Sequence, residues 1–238
     1  MVGLFVCLFP VLEQTNNPTT EPLSPVNHLF PYIERTLLHP GVTIRQQYDA
    51  LDDVTQLGFA GLTVAPFWVK KARRELGDAH PAVLSTVIGY PFGYQRTEAK
   101  QLEIELALND GATEVEVVLN TSALFSPTSV CLKIELVKLV ALAHGREKLL
   151  TVILESSLLT DDLRQQMIKL ATDAGTDFLK DQTGALRSDF SRDRALAFRR
   201  DVPRTVGVKI VADGATPEQM EALIAAGVER LALASPLP

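Results

Sequence analysis

The chain has 238 residues, of which 46% are hydrophobic and 22% are charged, which is ordinary for a globular protein of one α/β barrel or two small domains. Its formal net charge of −6 argues against nucleic acid or an anionic membrane as the main partner. Cys7 and Cys131 are the only cysteines and stand far apart, which excludes a disulfide framework or a zinc knuckle and indicates a reducing, cytoplasmic compartment.

Residues 1–28 are predicted to form a flexible tail. They include the apolar run VGLFVCLFPVL, which is too short to span a bilayer. A signal peptide is disfavoured because no Lys or Arg precedes this run and no A-x-A-like site follows it. The segment EQTNNPTTEPLSPVN comes next and has the Pro, Thr and Asn content of a linker. The folded domain is therefore predicted to comprise residues 29–238.

Eight short segments rich in Val, Ile, Leu and Thr are predicted to be strands. They are 32–38, 61–65, 83–89, 114–119, 149–155, 177–181, 206–212 and 230–235. Amphipathic patterns separate them, and two of these, TDDLRQQMIKLATDAG and TPEQMEALIAAG, begin on a capping Thr and end on Gly, as helices do. Alternating strands and helices predict a parallel sheet, and eight such units predict an α/β fold of the (β/α)₈ TIM-barrel type.

The alternative to the barrel is an open, doubly wound sheet. No G-x-G-x-x-G follows the first predicted strand, so the usual dinucleotide-binding signal of that fold is missing. Only three residues follow the eighth predicted strand, and the last outer helix of the barrel is therefore predicted to be missing.

Three charged residues interrupt apolar strand patterns. Glu116 lies on the fourth predicted strand, Lys180 on the sixth and Lys209 on the seventh. Strands six and seven would be neighbours about 4.8 Å apart, so each amine would disfavour a positive charge on the other, and burial would add to this effect. A neutral amine can attack a carbonyl carbon, and a nearby carboxylate can shuttle protons. This pattern predicts a Schiff-base site at the carboxyl ends of the strands.

A second interpretation of these charges is purely structural. A lysine at a strand end is usually solvated at the rim, and Glu114 and Glu116 could mark one polar face of a strand. The four histidines fall outside the strand interiors and are interpreted as non-catalytic, with His39, after the first strand, as the exception. No cluster of metal ligands is recognisable, so no metal site is predicted.

Six stretches match one known family in order and spacing: TVIGYPFG, GATEVEVVLN, VILE, AGTDFLKDQTGA, GVKIVADGAT and AGVERLALAS. Through them the chain resembles deoxyribose-phosphate aldolase, a class I aldolase family built on a (β/α)₈ barrel. The resemblance implies that Lys180 forms the Schiff base, that Lys209 keeps this amine nucleophilic, and that Glu116 relays protons in place of an aspartate. The implied reaction is the reversible cleavage of 2-deoxyribose 5-phosphate to acetaldehyde and glyceraldehyde 3-phosphate without a cofactor, a step of deoxyribonucleotide and carbohydrate catabolism.

The resemblance also implies a site for the substrate and its phosphate, formed by Thr183, Gly184, Gly214, Ser235 and Glu34. The chain departs from the family at this site, because Ala212 and Asp213 stand where the family has glycines. We expect either side chain to obstruct the approach of a phosphate to the backbone amides, and Asp213 to repel it. Poor discrimination between phosphorylated and unphosphorylated sugar is therefore expected.

Two alternatives to this function are kept. One is a class I aldolase that acts on a different or unphosphorylated aldehyde. The other is a non-catalytic barrel that serves as a binding scaffold, because a fold does not determine a function. The expected partner is a small aldehyde or sugar phosphate, with no nucleic acid and no membrane, and a homodimer is left open.

Overall fold

Eight parallel strands form a closed barrel in the chain order β1 to β8 in this computed structural model. The structure describes residues 26–125, 129–186 and 188–235. The strands are β1 Ile33–Leu37, β2 Gly61–Val64, β3 Val83–Ile88, β4 Glu114–Val118, β5 Leu149–Ile153, β6 Phe178–Lys180, β7 Gly207–Val211 and β8 Arg230–Leu233. Each lies inside its predicted segment, and the predicted barrel is confirmed. The open sheet is excluded, because β8 pairs with β1.

Helices on the outside connect successive strands. They are α1 Ile44–Leu57, α2 Val69–Leu76, α3 Thr97–Asn109, α4 Thr121–Leu124, α5 Ser129–His144, α6 Asp161–Ala174, α7 Arg192–Asp201 and α8 Pro217–Ala225. Short 3₁₀ helices lie at Asn27–Tyr32, Pro66–Trp68 and Ser156–Leu158. No helix follows β8 in the described part of the chain, which ends at residue 235.

Capping residues determine where two of these helices begin. Thr43 starts α1 by accepting a hydrogen bond from the amide of Gln46, whose side chain in turn accepts one from the amide of Thr43. Thr216 and Gln219 form the same reciprocal cap at the start of α8. Gly58 ends α1 in the left-handed conformation, which glycine adopts without steric cost. These caps satisfy backbone groups that a helix end leaves without partners.

The described part of the chain starts just before β1. Leu29, in the first 3₁₀ helix, is buried in the core, and His28 contacts Glu221 of α8 at 2.8 Å. Residues 1–25 of the predicted tail lie outside the described residues, so the extent of the tail stays a prediction. Within the described ranges, no helix is both long and apolar enough to cross a membrane.

Strand register decides which side chains point into the barrel. Lys180 of β6 pairs with Lys209 of β7, and Lys209 pairs with Arg230 of β8. Paired residues on neighbouring strands share a face, and successive residues of one strand alternate between faces. The register therefore brings charged residues from several strands together at the barrel axis, while the apolar residues between them pack outward against the helices.

Candidate active site

Five charged side chains fill the middle of the barrel interior, and we call them the charged layer: Glu34, Glu114, Glu116, Lys180 and Lys209. None of them has more than 1% of its surface exposed. Burying an ion costs free energy unless a partner of opposite charge and hydrogen bonds compensate for the lost water. The structural interpretation as solvated rim residues is therefore wrong for these lysines.

Glu116 contacts both lysines of the charged layer. Nζ of Lys180 donates to Oε2 of Glu116 at 2.7 Å, and Nζ of Lys209 donates to Oε1 at 3.1 Å. Burial acts to raise the pKa of Glu116, but the attraction of Lys180 and then Lys209 outweighs it and holds the pKa below its ordinary value. Glu116 is therefore a carboxylate at neutral pH, in direct contact with the Lys180 amine.

Lys209 is surrounded by acids. Its Nζ lies 2.5 Å from Oε1 of Glu114, 2.9 Å from Oε2 of Glu34 and 3.1 Å from Oε1 of Glu116. Burial acts to lower the pKa of Lys209, but the combined attraction of these three carboxylates raises it above its ordinary value. Lys209 is thus a fixed cation beside Lys180. Among the described residues, no group of His, Cys, Asp and Glu side chains could hold a metal ion.

Two further residues contact the carboxylates of Glu34 and Glu114. Nε of Arg230 lies 3.4 Å from Oε1 of Glu34, and the Thr151 hydroxyl donates to Oε1 of Glu114 at 2.6 Å. Burial raises the pKa of Glu114 above its ordinary value, although Lys209 contacts it. The sequence interpretation left Glu114 on a polar strand face. Its spacing of two from Glu116 was the available signal, because strand alternation puts both residues on the inner face.

A cavity of about 290 Å³ opens at the carboxyl ends of the strands, and we call it the mouth cavity. Two of its lining residues, Val211 and Ala232, follow Lys209 and Arg230 by two positions on the same inward face. The mouth cavity therefore lies directly above the charged layer. Its polar side chains are those of Thr36, His39, Tyr90, Thr183 and Asp213. A larger cavity, of about 780 Å³, lies beside α2 and contains none of the predicted site residues.

Thr183 and Gly184, which the sequence interpretation assigned to the substrate site, line the mouth cavity. The amide and the hydroxyl of Thr183 donate to Oε2 of the buried Glu155 at 3.1 and 2.5 Å. Sequence reasoning gave Glu155 no role, since it stands in the stretch VILE with no neighbouring charge. His39 also lines the cavity, and its Nδ1 accepts a hydrogen bond from the amide of Gly41 at 3.0 Å.

Glu34 and Ala212 were also named in the sequence interpretation. Glu34, which was grouped with the substrate site, belongs to the charged layer and contacts Lys209. Ala212 is buried in the core on the outer face of the sheet, because the inward residues on either side of it are Val211 and Asp213. Its amide donates to the carbonyl of Ala232 at 3.0 Å. The expectation that Ala212 obstructs the mouth cavity is therefore wrong.

Comparison with known proteins identifies the family. No protein-family model matches the sequence. Deoxyribose-phosphate aldolase of Listeria welshimeri is 34% identical over 199 residues, which cover 84% of this chain and 88% of that protein. Deoxyribose-phosphate aldolase 1 of Oceanobacillus iheyensis is 35% identical over 207 residues, covering 87% and 93%. The chain belongs to the deoxyribose-phosphate aldolase family.

Solved structures agree with this membership of the aldolase family. The tetrameric deoxyribose phosphate aldolase from Aeropyrum pernix has a TM-score of 0.77 at 25% identity and is covered over 88% of each chain. The aldolase QR15 has the same TM-score and identity, over 87% of this chain and 91% of that one. The resemblance found in the sequence is confirmed, and with it the prediction of a carbon–carbon lyase.

Asp181→Asn is expected to remove a pH-dependent loss of stability in this family member. Asp181 follows β6, and its Oδ1 accepts a hydrogen bond from the amide of Val211 at 2.9 Å. Burial raises the pKa of Asp181 to about 7, against the lowering by this amide and by Lys180. Because the folded pKa lies above the ordinary value of 3.8, the contribution of Asp181 to stability is greatest in acid and is lost as the pH rises towards 7.

Urea unfolding of parent and variant at about pH 5 and about pH 8 measures this effect. The free energy of unfolding of the parent should fall by on the order of 2 kcal/mol more than that of Asp181→Asn between these values. Asp189→Asn, at an exposed position in the same loop, is the control and should behave like the parent. Equal pH dependence in parent and Asp181→Asn would contradict a raised pKa.

Proposed function

We propose that this chain is a class I aldolase that reversibly cleaves 2-deoxyribose 5-phosphate to acetaldehyde and glyceraldehyde 3-phosphate through an imine on Lys180. One observation carries the proposal. The Lys180 amine is fully buried, lies 2.7 Å from the carboxylate of Glu116 and pairs in register with the fixed cation Lys209. A buried amine at the carboxyl end of a barrel strand, in hydrogen-bond contact with a carboxylate, has the geometry of a Schiff-base nucleophile beside its proton acceptor.

Imine formation comes first. Lys180 gives a proton to Glu116, and its lone pair attacks C1 of the open-chain sugar to form a carbinolamine. Glu116 returns the proton to the C1 hydroxyl, which leaves as water, and the protonated imine remains. Lys209 does not take part in bond making. Its positive charge is held in place beside the reacting amine by three carboxylates.

Cleavage of the carbon–carbon bond follows from the imine. The protonated imine draws the electron pair of the C2–C3 bond towards C1, while Glu116 accepts the proton of the C3 hydroxyl. C3 becomes the aldehyde carbon of glyceraldehyde 3-phosphate, and C1 and C2 remain on Lys180 as an enamine. Protonation at C2 and attack of water at C1 then release acetaldehyde and the free amine, so no oxidant or reductant is consumed.

The mouth cavity is the route by which a sugar would reach Lys180. The amine lies below the cavity, and its four-carbon stem has the length to bring Nζ to the cavity floor. Hydroxyl groups of Thr36, Tyr90 and Thr183 line the cavity and offer hydrogen bonds to the hydroxyls of a sugar. Hydroxyl groups in this arrangement suit a polyhydroxy aldehyde.

Borohydride trapping tests the proposal. Incubation with acetaldehyde and borohydride should reduce the imine and leave an ethyl group on Lys180, which peptide mapping by mass spectrometry locates. A parallel incubation without acetaldehyde is the control. An ethyl group on Lys209 alone, or no ethyl group at any internal lysine, would overturn the assignment of the nucleophile.

Glu116→Gln is expected to slow turnover while imine formation persists. The glutamine keeps the shape of the side chain but cannot accept the proton of the C3 hydroxyl, which corresponds to a loss of about 10²–10⁴ in kcat for a general acid–base group. Borohydride labelling of Lys180 should still occur, and the two readouts separate proton transfer from imine formation. Parent-like kcat in this variant would show that Glu116 does not carry the proton.

The association state and location complete the proposal. A homodimer stays a prediction, and the Aeropyrum pernix relative is described as a tetramer. Light scattering on the purified chain measures which assembly this member forms. A cytoplasmic location is proposed from the two widely separated cysteines of the sequence and is tested by fractionation of the host cells.

A further inference from the structure

A carboxylate of the chain itself occupies the backbone turn after β8. Oδ1 of Asp213 accepts hydrogen bonds from two successive amides, that of Ala234 at 2.8 Å and that of Ser235 at 3.3 Å. Asp213 and Ala234 both line the mouth cavity. Successive backbone N–H groups that converge on one point form an anion-binding site in proteins. Here that point is occupied by an internal anion.

The charge of the mouth cavity also disfavours a bound anion. Among its lining residues in the described part of the chain, Asp213 is the only acid, and there is no lysine or arginine. Arg35 is a cation near Asp213, but it is only 4% exposed and its Nε lies 3.1 Å from Asp53 on the outer side of the barrel. A dianion entering the cavity would therefore meet a carboxylate without a compensating cation.

We propose that Asp213 is a specificity-determining residue that makes the mouth cavity select the uncharged end of a substrate. Its carboxylate fills the N–H pair of Ala234 and Ser235, so a phosphate group must either displace it or bind without these two donors. The substrate class that fits is an unphosphorylated 2-deoxy sugar or a short hydroxyaldehyde, bound at least as well as the sugar phosphate. This inference rests on the proposed aldolase function. It adds that the enzyme does not require a phosphate at the end of the sugar remote from the reacting C1.

The decisive quantity is the ratio of kcat/KM for 2-deoxyribose 5-phosphate to that for 2-deoxyribose. In the parent the ratio should lie within about tenfold of unity. In Asp213→Gly it should rise by at least about tenfold, through a lower KM for the phosphorylated sugar, since each charge-assisted hydrogen bond regained contributes about that factor. Asp213→Asn removes the charge but keeps an oxygen for the two amides, so its ratio should rise less than that of Asp213→Gly.

Ala212→Gly is the matched control, because its side chain faces the core rather than the mouth cavity. Its ratio should equal that of the parent. A ratio above about 10³ in the parent, or an unchanged ratio in an active Asp213→Gly, would overturn the proposal and leave Asp213 as a structural cap of the turn. A ratio in Asp213→Asn as high as in Asp213→Gly would overturn the part of the proposal that concerns occupied amides.

Failure of the aldolase function is recognised separately. It would appear as no cleavage of either sugar together with no ethyl label on Lys180. Calorimetry with inorganic phosphate then tests Asp213 without any turnover. Phosphate should bind to Asp213→Gly and not to the parent at millimolar concentration, and equal binding to both proteins would overturn the inference.

Discussion

Lys180→Met is expected to reduce kcat/KM for aldol cleavage by at least about 10⁴-fold and to abolish borohydride labelling by acetaldehyde. Methionine keeps the length and the apolar stem of the side chain but offers no amine for the imine. The fold should persist, because Glu116 retains its contact with Lys209 at 3.1 Å after Lys180 is lost. Circular dichroism tests whether the fold persists, and steady-state kinetics on the same preparation measure the loss of kcat/KM.

Two control variants sharpen this result. Lys180→Arg keeps the positive charge beside Glu116 but has no nucleophilic amine, so it should be as inactive as Lys180→Met. Lys138→Met, at an exposed position of α5, removes one lysine without touching the barrel interior and should leave kcat/KM unchanged. Substantial turnover in either Lys180 variant would show that another group forms the imine or that the reaction needs none.

Lys209→Met is expected to remove activity and also to destabilise the protein by about 3–5 kcal/mol, the cost of leaving buried charges without a partner. Glu34 and Glu114 each contact Lys209, at 2.9 and 2.5 Å, and Glu116 would keep only Lys180. The variant also loses the fixed cation that pairs in register with Lys180. Urea unfolding gives the change in stability, and kcat at neutral pH gives the change in activity.

A double variant separates the two effects of Lys209. Adding Glu114→Gln to Lys209→Met removes one of the carboxylates left without a cation, so part of the lost stability should return. Activity should not return, since the positive charge next to Lys180 is still absent. Recovery of turnover in the double variant would mean that Lys209 serves only to hold the acids, and it would then have no influence on the nucleophile.

Local patterns in the sequence determined the fold and the reactive groups of this protein. Each of the eight strands lies within its predicted segment, because runs of Val, Ile, Leu and Thr between helix caps depend only on neighbouring residues. Lys180, Lys209 and Glu116 stood out for a similar reason. A charge inside an apolar strand is visible without knowledge of its partners, since burial of an unpaired ion is costly wherever the strand lies.

Contacts between distant parts of the chain were decided by the tertiary structure. Glu34 and Arg230 reach the site around Lys209 only because β8 pairs with β1 and closes the barrel. The position of Asp213 on the amides of Ala234 and Ser235 likewise joins two loops that the sequence pattern treats separately. The free energies of these contacts depend on the strand register and on which charged groups become neighbours. The periodicity of a single segment determines neither of these.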